Sequence, residues 1–179
     1  MSLIEELKKV LGDQNVLTGT DKERYSSDWL GQYQFEPLCV VRPASTEEVS
    51  DIVRLARSFQ VNIVPVGGNT GLNGGTHSDN AISISMERMN KIREIRLNSK
   101  IAIVEAGVIL ANLHQIVSEN DLMFPLTFGA RGSATIGGVL STNAGGSNVL
   151  KYGNTRDLVL GVEIVLPNGE IMNLMSELH

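Results

Sequence analysis

The sequence is short of most residues that carry chemistry by themselves. It has one cysteine, Cys39, so an intrachain disulfide and a cysteine-built zinc site are both excluded. Its three histidines, His77, His114 and His179, stand far apart in sequence, and no metal site is expected from them. Positive charge is not in excess: 15 Lys and Arg face 20 Asp and Glu, a net charge of −5 that argues against nucleic acid as a partner. No stretch approaches the roughly 18 consecutive apolar residues of a membrane span. The start of the chain mixes Glu5, Glu6, Lys8 and Lys9 into an amphipathic pattern with neither a secretory core nor an arginine bias, so a soluble, cytoplasmic protein is expected. Three nucleotide and hydrolase motifs are also missing: G-x-G-x-x-G, a Gly-Lys pair and G-x-S-x-G.

What remains is a globular composition, 179 residues with 42% hydrophobic and 20% charged, enough for one large domain or two small lobes. Leu3, Leu7 and Leu11 recur at helical spacing, and residues 20–37 read as irregular. A short strand at 38–41 is followed by a capping box at Ser45 and Glu48 and a helix with Val49, Ile52, Val53, Ala56 and Phe59 inward. A strand at 61–66 completes a parallel βαβ unit. Ile82, Ile84 and Met86 alternate as a half-buried strand, 92–97 and 101–105 pair as a hairpin, and 108–119 is a helix. A strand at 158–166, a Pro167-Asn168-Gly169 turn and a return strand at 170–174 close the pattern. The class is α+β: a small parallel βαβ lobe at about 38–86 and a larger, mainly antiparallel lobe with helices at about 87–179, after a lead-in at 1–37.

Glycine is concentrated in two places, five between Gly67 and Gly75 and six between Gly129 and Gly146. The first cluster follows a strand and runs Pro65, Val66, Gly67, Gly68, Asn69, Thr70, Gly71, Leu72 with no charged residue from Val61 to Ser78. Exposed backbone N–H groups without Cβ cover suit an anion such as a diphosphate. A glycine-rich turn without a ligand explains this stretch equally well. The second cluster has Arg131 as its only charge and hydroxyls at Ser133, Thr135, Ser141 and Thr142. It suits a wall against a flat polar-edged ring, or close packing of a short helix at 136–142.

Together, P-V-G-G-N-T-G-L (65–72) and G-A-R-G-S-A-T-I-G-G-V-L-S-T-N-A-G-G (129–146) resemble the FAD-binding domain of FAD-linked oxidases of the vanillyl-alcohol oxidase type. V-R-P-A-S-T-E-E-V (41–49), K-Y-G-N-T-R-D (151–157) and V-L-G-V-E-I-V-L-P-N-G (159–169) extend the resemblance, which looks strongest to the D-lactate, D-2-hydroxyglutarate and glycolate-oxidising branch. The resemblance implies a two-lobed domain clasping FAD. It implies that residues 67–72 wrap the diphosphate, that Pro65 and Val66 line its approach, and that Gly161 and Ile164 lie near the adenine. Pro125, Ser133, Ala134, Ile136, Gly137 and Gly138 would border the ribityl chain and flavin, with Ser141, Thr142, Asn143, Gly145 and Gly146 continuing the wall. Some relatives tether flavin through a histidine in the first loop. Here that loop carries Asn69, so noncovalent FAD is expected.

The implied reaction is hydride transfer from a D-2-hydroxyacid to FAD, giving the 2-oxoacid and passing electrons to a further acceptor. Catalytic residues are expected in a second, C-terminal domain that such proteins carry, and the chain as a fragment is expected to be inactive and to leave an apolar seam that favours self-association. Two other readings stay open: a flavin-binding module without chemistry, and a structural domain whose glycines only make turns. Among single residues, His77 is expected in solvent, His114 in helix packing and Cys39 as an inert buried thiol. Trp29, Tyr33 and Phe35 are expected to anchor their segment, Arg156 and Asp157 to form a local ion pair. Arg131 and Tyr152 are candidates near the ring. A branched side chain at Gly68 is expected to weaken flavin binding while the fold survives.

Overall fold

The computed structural model describes residues 2–175. It divides into two units: residues 2–66, 71–88 and 160–175, and residues 67–70 with 89–159. The described part of the lead-in, residues 2–37, therefore belongs to the first unit, and so does the last hairpin, which the sequence pattern assigned to the second lobe. The first unit is the larger of the two.

The first unit opens with α1 (Leu3–Leu11). Ser2 caps it by accepting from the Glu5 amide at 3.3 Å, and Glu5 accepts from the Ser2 amide at 2.8 Å. It buries Leu7 and Leu11 and ends at Gly12, whose φ of 81° suits glycine. Strands β1 (Val16–Leu17) and β2 (Cys39–Val41) follow, then α2 (Thr46–Ser58), β3 (Ile63–Val66) and β4 (Ile82–Ser85). The expected capping box at α2 is displaced by one residue. Ser45 accepts from the Glu48 amide at 3.2 Å, but Glu48 takes the Ala44 amide at 2.7 Å.

The sheet order is β1-β2-β4-β3, with β1 antiparallel at one edge and the other three parallel. β2, α2 and β3 form the expected parallel crossover, but β4 inserts between the two strands. β4 is for that reason buried at all four residues instead of half-buried, and its alternation only sorts Ile82 and Ile84 from Ser83 and Ser85. The isoleucines join Leu7, Leu11, Cys39, Val41, Ile52 and Ala56 in one core, while Tyr25, Val40 and Val66 form a smaller one. Pro65 sits on edge strand β3, where a missing donor is tolerated.

The second unit holds the expected hairpin, β5 (Ile92–Arg96) with β6 (Ile101–Val104), and α3 (Leu110–Ser118) with Leu110, Leu113 and Val117 inward. Two short helices complete it, α4 (Ile136–Ser141) and α5 (Val149–Tyr152). The strand expected over 158–166 is shorter. Residues Thr155–Leu158 form a 3-10 turn closed by an Asn154–Asp157 capping box, and β7 is only Glu163–Val165. β7 pairs with β8 (Ile171–Asn173) through the expected turn, with Gly169 at φ 84°. Ser50 and Arg54 of α2 both donate to the Gly169 carbonyl.

Past β4, Glu87 ties three elements of the first unit together. It accepts from Arg24 at 2.6 Å, Arg42 at 3.1 Å and the Tyr25 hydroxyl at 2.8 Å. Partial burial pushes its carboxyl up, but these hydrogen bonds and the Arg24 and Arg42 charges outweigh it and hold the group below the usual glutamate range. A lowered value in the folded state stabilises the fold above the unfolded value, about pH 4.3, and that contribution is lost as pH falls through the folded value. Urea midpoints measured from pH 6 to pH 3 are expected to fall less steeply in Glu87→Gln than in the wild type. Parallel curves would count against Glu87 as a source of acid lability.

Candidate functional site

In the second unit the start of the first glycine cluster, Gly67 and Gly68, meets the second cluster. A Cβ built on Gly68 would overlap the Ser133 carbonyl oxygen, and one on Gly67 would overlap the Thr135 hydroxyl. Neither glycine is in the left-handed region. Absence of a side chain, not freedom of φ, is what this approach requires. The left-handed positions of the clusters fall largely on asparagine, Asn69 at φ 51° and Asn143 at φ 49°, with Gly74 at 65°.

The first loop offers what an anion needs. Among the described residues, the amides of Gly68, Thr70, Gly71 and Leu72 donate to no protein acceptor. These positions are half-buried or exposed, and a Cβ on Gly71 would meet open space. Unused N–H groups in a stretch without charged residues suit an anion through backbone alone. Val66, by contrast, is committed to the core and is 3% exposed, and Pro65 and Leu72 are exposed.

The second cluster is more committed than its composition suggests. The Ile136 amide donates to Val108, that of Gly137 to Ala106 and that of Gly138 to the Thr135 hydroxyl. Gly137 has no room either, since its Cβ would lie 2.8 Å from that of Ala106. The hydroxyls of Ser141 and Thr142 bond back into their own helix, to the carbonyls of Gly137 and Gly138. Asn143 accepts from the Arg156 amide, Ala134 is buried, and the Pro125 carbonyl takes Asn148. The wall expected to be rich in amide donors keeps them at Gly145 and Gly146, which donate to no acceptor among the described residues. Ser133 is half-buried and Ile136 packs into the unit's cores. In the first unit, Gly161 is half-buried and Ile164 of β7 is exposed.

The remaining side chains sort plainly. His77 is exposed, 3.2 Å from Asp79 and 5.3 Å from the Phe35 ring. His114 is half-buried in α3, 6.3 Å from the Phe124 ring. His179 lies outside the described residues. Burial pushes the Cys39 thiol up to about 11, with Lys22 offsetting part, so it is a poor nucleophile. Phe35 is buried as an anchor, whereas Trp29 and Tyr33 are exposed. Arg131 is exposed, and Lys151 stands 5.0 Å over the half-buried Tyr152 ring. The expected Arg156–Asp157 ion pair does not form. Arg156 binds the Leu140 and Ser141 carbonyls, while Asp157 accepts from the Asn154 amide. Adjacency in sequence suggested the wrong partner, because a 3-10 turn sends neighbouring side chains in different directions.

The FAD binding domain family matches residues 37–175. The chain belongs to that family. It is 41% identical to D-2-hydroxyglutarate dehydrogenase of Xanthomonas citri pv. viticola, over 88% of this chain and 34% of that protein. It is 37% identical to the enzyme of the same name from Stutzerimonas stutzeri, over 99% of this chain and 39% of that one. A third relative, from Arabidopsis thaliana, is named as mitochondrial, so the expected cytoplasmic placement is not shared by all relatives. The chain thus spans about a third of the length of the curated relatives it matches. Among solved structures, 6-hydroxy-D-nicotine oxidase from Arthrobacter nicotinovorans superposes with a TM-score of 0.79 at 25% identity, over 89% of this chain and 35% of that one. An alkyldihydroxyacetonephosphate synthase reaches 0.85 at 24% identity, over 98% and 38%, and shares the fold. Among the described residues no helix is long and apolar enough to cross a membrane, and no cluster of His, Cys, Asp or Glu is placed to hold a metal ion.

Proposed function

We propose that this chain is the FAD-binding part of a flavoprotein dehydrogenase that oxidises a D-2-hydroxyacid, of the 2-hydroxyglutarate, lactate or glycolate type, to the 2-oxoacid. The observation that carries the cofactor reading is the uncharged run of unused amides at Gly68, Thr70, Gly71 and Leu72. The names of the relatives support the substrate class. FAD would supply the two-electron acceptor for the substrate hydride. This chain's own part is to hold it: backbone of 67–72 on the diphosphate, and Gly145 and Gly146 as donors in the second unit. Neither His77 nor His114 is proposed as the base, since one faces Asp79 in solvent and the other packs on Phe124.

Purified protein is expected to be yellow, or to turn so with added FAD, and the full-length enzyme to reduce an artificial dye with D-2-hydroxyglutarate, D-lactate or glycolate. Refusal of FAD would leave the glycines as turn-formers only. FAD binding without turnover by the full-length enzyme would favour a binding module.

The flavin is held noncovalently in this reading. No histidine lies between Pro65 and Thr76, and Cys39 is buried with a raised thiol pKa. Acid or heat precipitation is expected to leave all flavin in the supernatant. Colour retained on the denatured pellet would overturn this.

A further inference from the structure

We propose that Thr155 and Arg156 are positioning residues that aim the Gly145 and Gly146 amides at an acceptor oxygen of FAD. The inference rests on the FAD-binding reading above. α4 is only six residues long, and its last carbonyls are met from beyond the helix, that of Leu140 by the Asn143 amide at 3.2 Å. Arg156 spans them, donating from Nε to the Leu140 carbonyl at 3.3 Å and from Nη2 to that of Ser141 at 3.0 Å. Its cation also stands at the negative end of the helix. The Arg156 amide donates to the Asn143 side chain at 3.0 Å, where the chain turns with φ 49°. Thr155, 1% exposed, gives both its amide and its hydroxyl to the Ala144 carbonyl, at 3.0 and 2.7 Å. Five hydrogen bonds from two consecutive residues thus fix the turn that leads directly into Gly145.

The two glycines that follow have no room for a side chain. A Cβ on Gly145 would lie 2.9 Å from the Asn154 side-chain oxygen and 3.1 Å from Val149, and one on Gly146 would overlap the Thr127 carbonyl. The turn held by these hydrogen bonds still leaves both amides without an acceptor among the described residues. Donors fixed before a ligand arrives cost it little ordering, which is how a residue that touches no ligand raises affinity. Only arginine has the planar fork that reaches two successive carbonyls.

The test titrates FAD into the wild type, Arg156→Met and Arg156→Lys, follows flavin fluorescence, melts each protein without FAD, and records amide spectra of Gly145 and Gly146 with and without FAD. Arg156→Met is expected to bind FAD at least tenfold more weakly, by far more than its small change in flavin-free melting explains. Arg156→Lys should recover part of the loss. In the wild type both glycine amides should shift as FAD saturates. Should the methionine variant fail to fold, the wild-type spectrum still decides the matter. Wild type that binds FAD while both amides stay unmoved, or a methionine variant that binds it equally well, overturns the clamp. Wild type that binds no FAD overturns the cofactor reading itself.

Discussion

Gly68→Ala is expected to destabilise the second unit before any question of flavin arises. A single methyl at this position would sit on the Ser133 carbonyl oxygen. Backbone there cannot rotate aside as a flexible side chain would, because Ser133 and Ala134 both donate to the Ala130 carbonyl at 2.9 Å and Ala134 accepts from Leu110 at 2.9 Å. Overpacking typically costs about 1–3 kcal/mol, and a pinned backbone puts this case near the upper end. That corresponds to a fall of roughly 6–12 °C in melting temperature for a chain of this size. The expectation that a branched residue at Gly68 spares the fold is corrected accordingly: the glycine serves packing between the clusters as well as approach to phosphate. Gly71→Ala is the control, since a Cβ there meets nothing and its φ is outside the left-handed region. It should melt within about 1 kcal/mol of the wild type. Melting both variants without FAD checks this, and an unshifted Gly68→Ala would remove the packing argument.

Much of the fold was legible where local chemistry and burial agree. Ser45 before an apolar stripe announced α2, and Pro167-Asn168-Gly169 announced the last hairpin. Burial of β4 was not legible, because a period of two looks alike whether one face or both are covered, and only the sheet order places β4 between β2 and β3. The long strand expected over 158–166 failed for a related reason. Apolar content at Val159 and Leu160 suggested a ladder, yet Leu160 is exposed and the capping box at Asn154 had already turned the chain.

At the candidate site the glycine clusters themselves were visible, and the charge-free character of the first still supports FAD. Which donors remain unused was not visible, because it depends on carbonyls brought from elsewhere: Ala106 and Val108 consume the Gly137 and Ile136 amides. Arg156 was expected to pair with Asp157 and Thr155 carried no expected role for the same reason. Their partners lie 11 to 16 positions earlier, with no periodic signal connecting them.

Leu110→Ala is expected to weaken both the second unit and its hold on flavin. Leu110 is fully buried at the start of α3 and centres a core with Leu126, Ala134 and Val139, against which Phe124, Phe128, Ile136, Ala144 and Leu158 pack. Removing three carbons from such a place costs the transfer energy and leaves a cavity, together about 2–5 kcal/mol. The loss reaches the site by contact. Ala134 adjoins the Ser133 carbonyl beneath Gly68, and Val139 and Ala144 carry the turn into Gly145. Loosening that floor blurs the direction of the Gly145 and Gly146 amides, so FAD affinity should fall as well. Because FAD binds the folded form alone, saturating it should return part of the loss, about 2.7 kcal/mol at a hundredfold excess over the variant's own Kd. Leu150→Ala is the matched control, a leucine on α5 that stands wholly in solvent and should change stability by no more than about 0.5 kcal/mol. Urea titrations of the three proteins, with and without FAD, measure all of this. A Leu110→Ala midpoint equal to that of Leu150→Ala would mean that the core under the second cluster does not hold it.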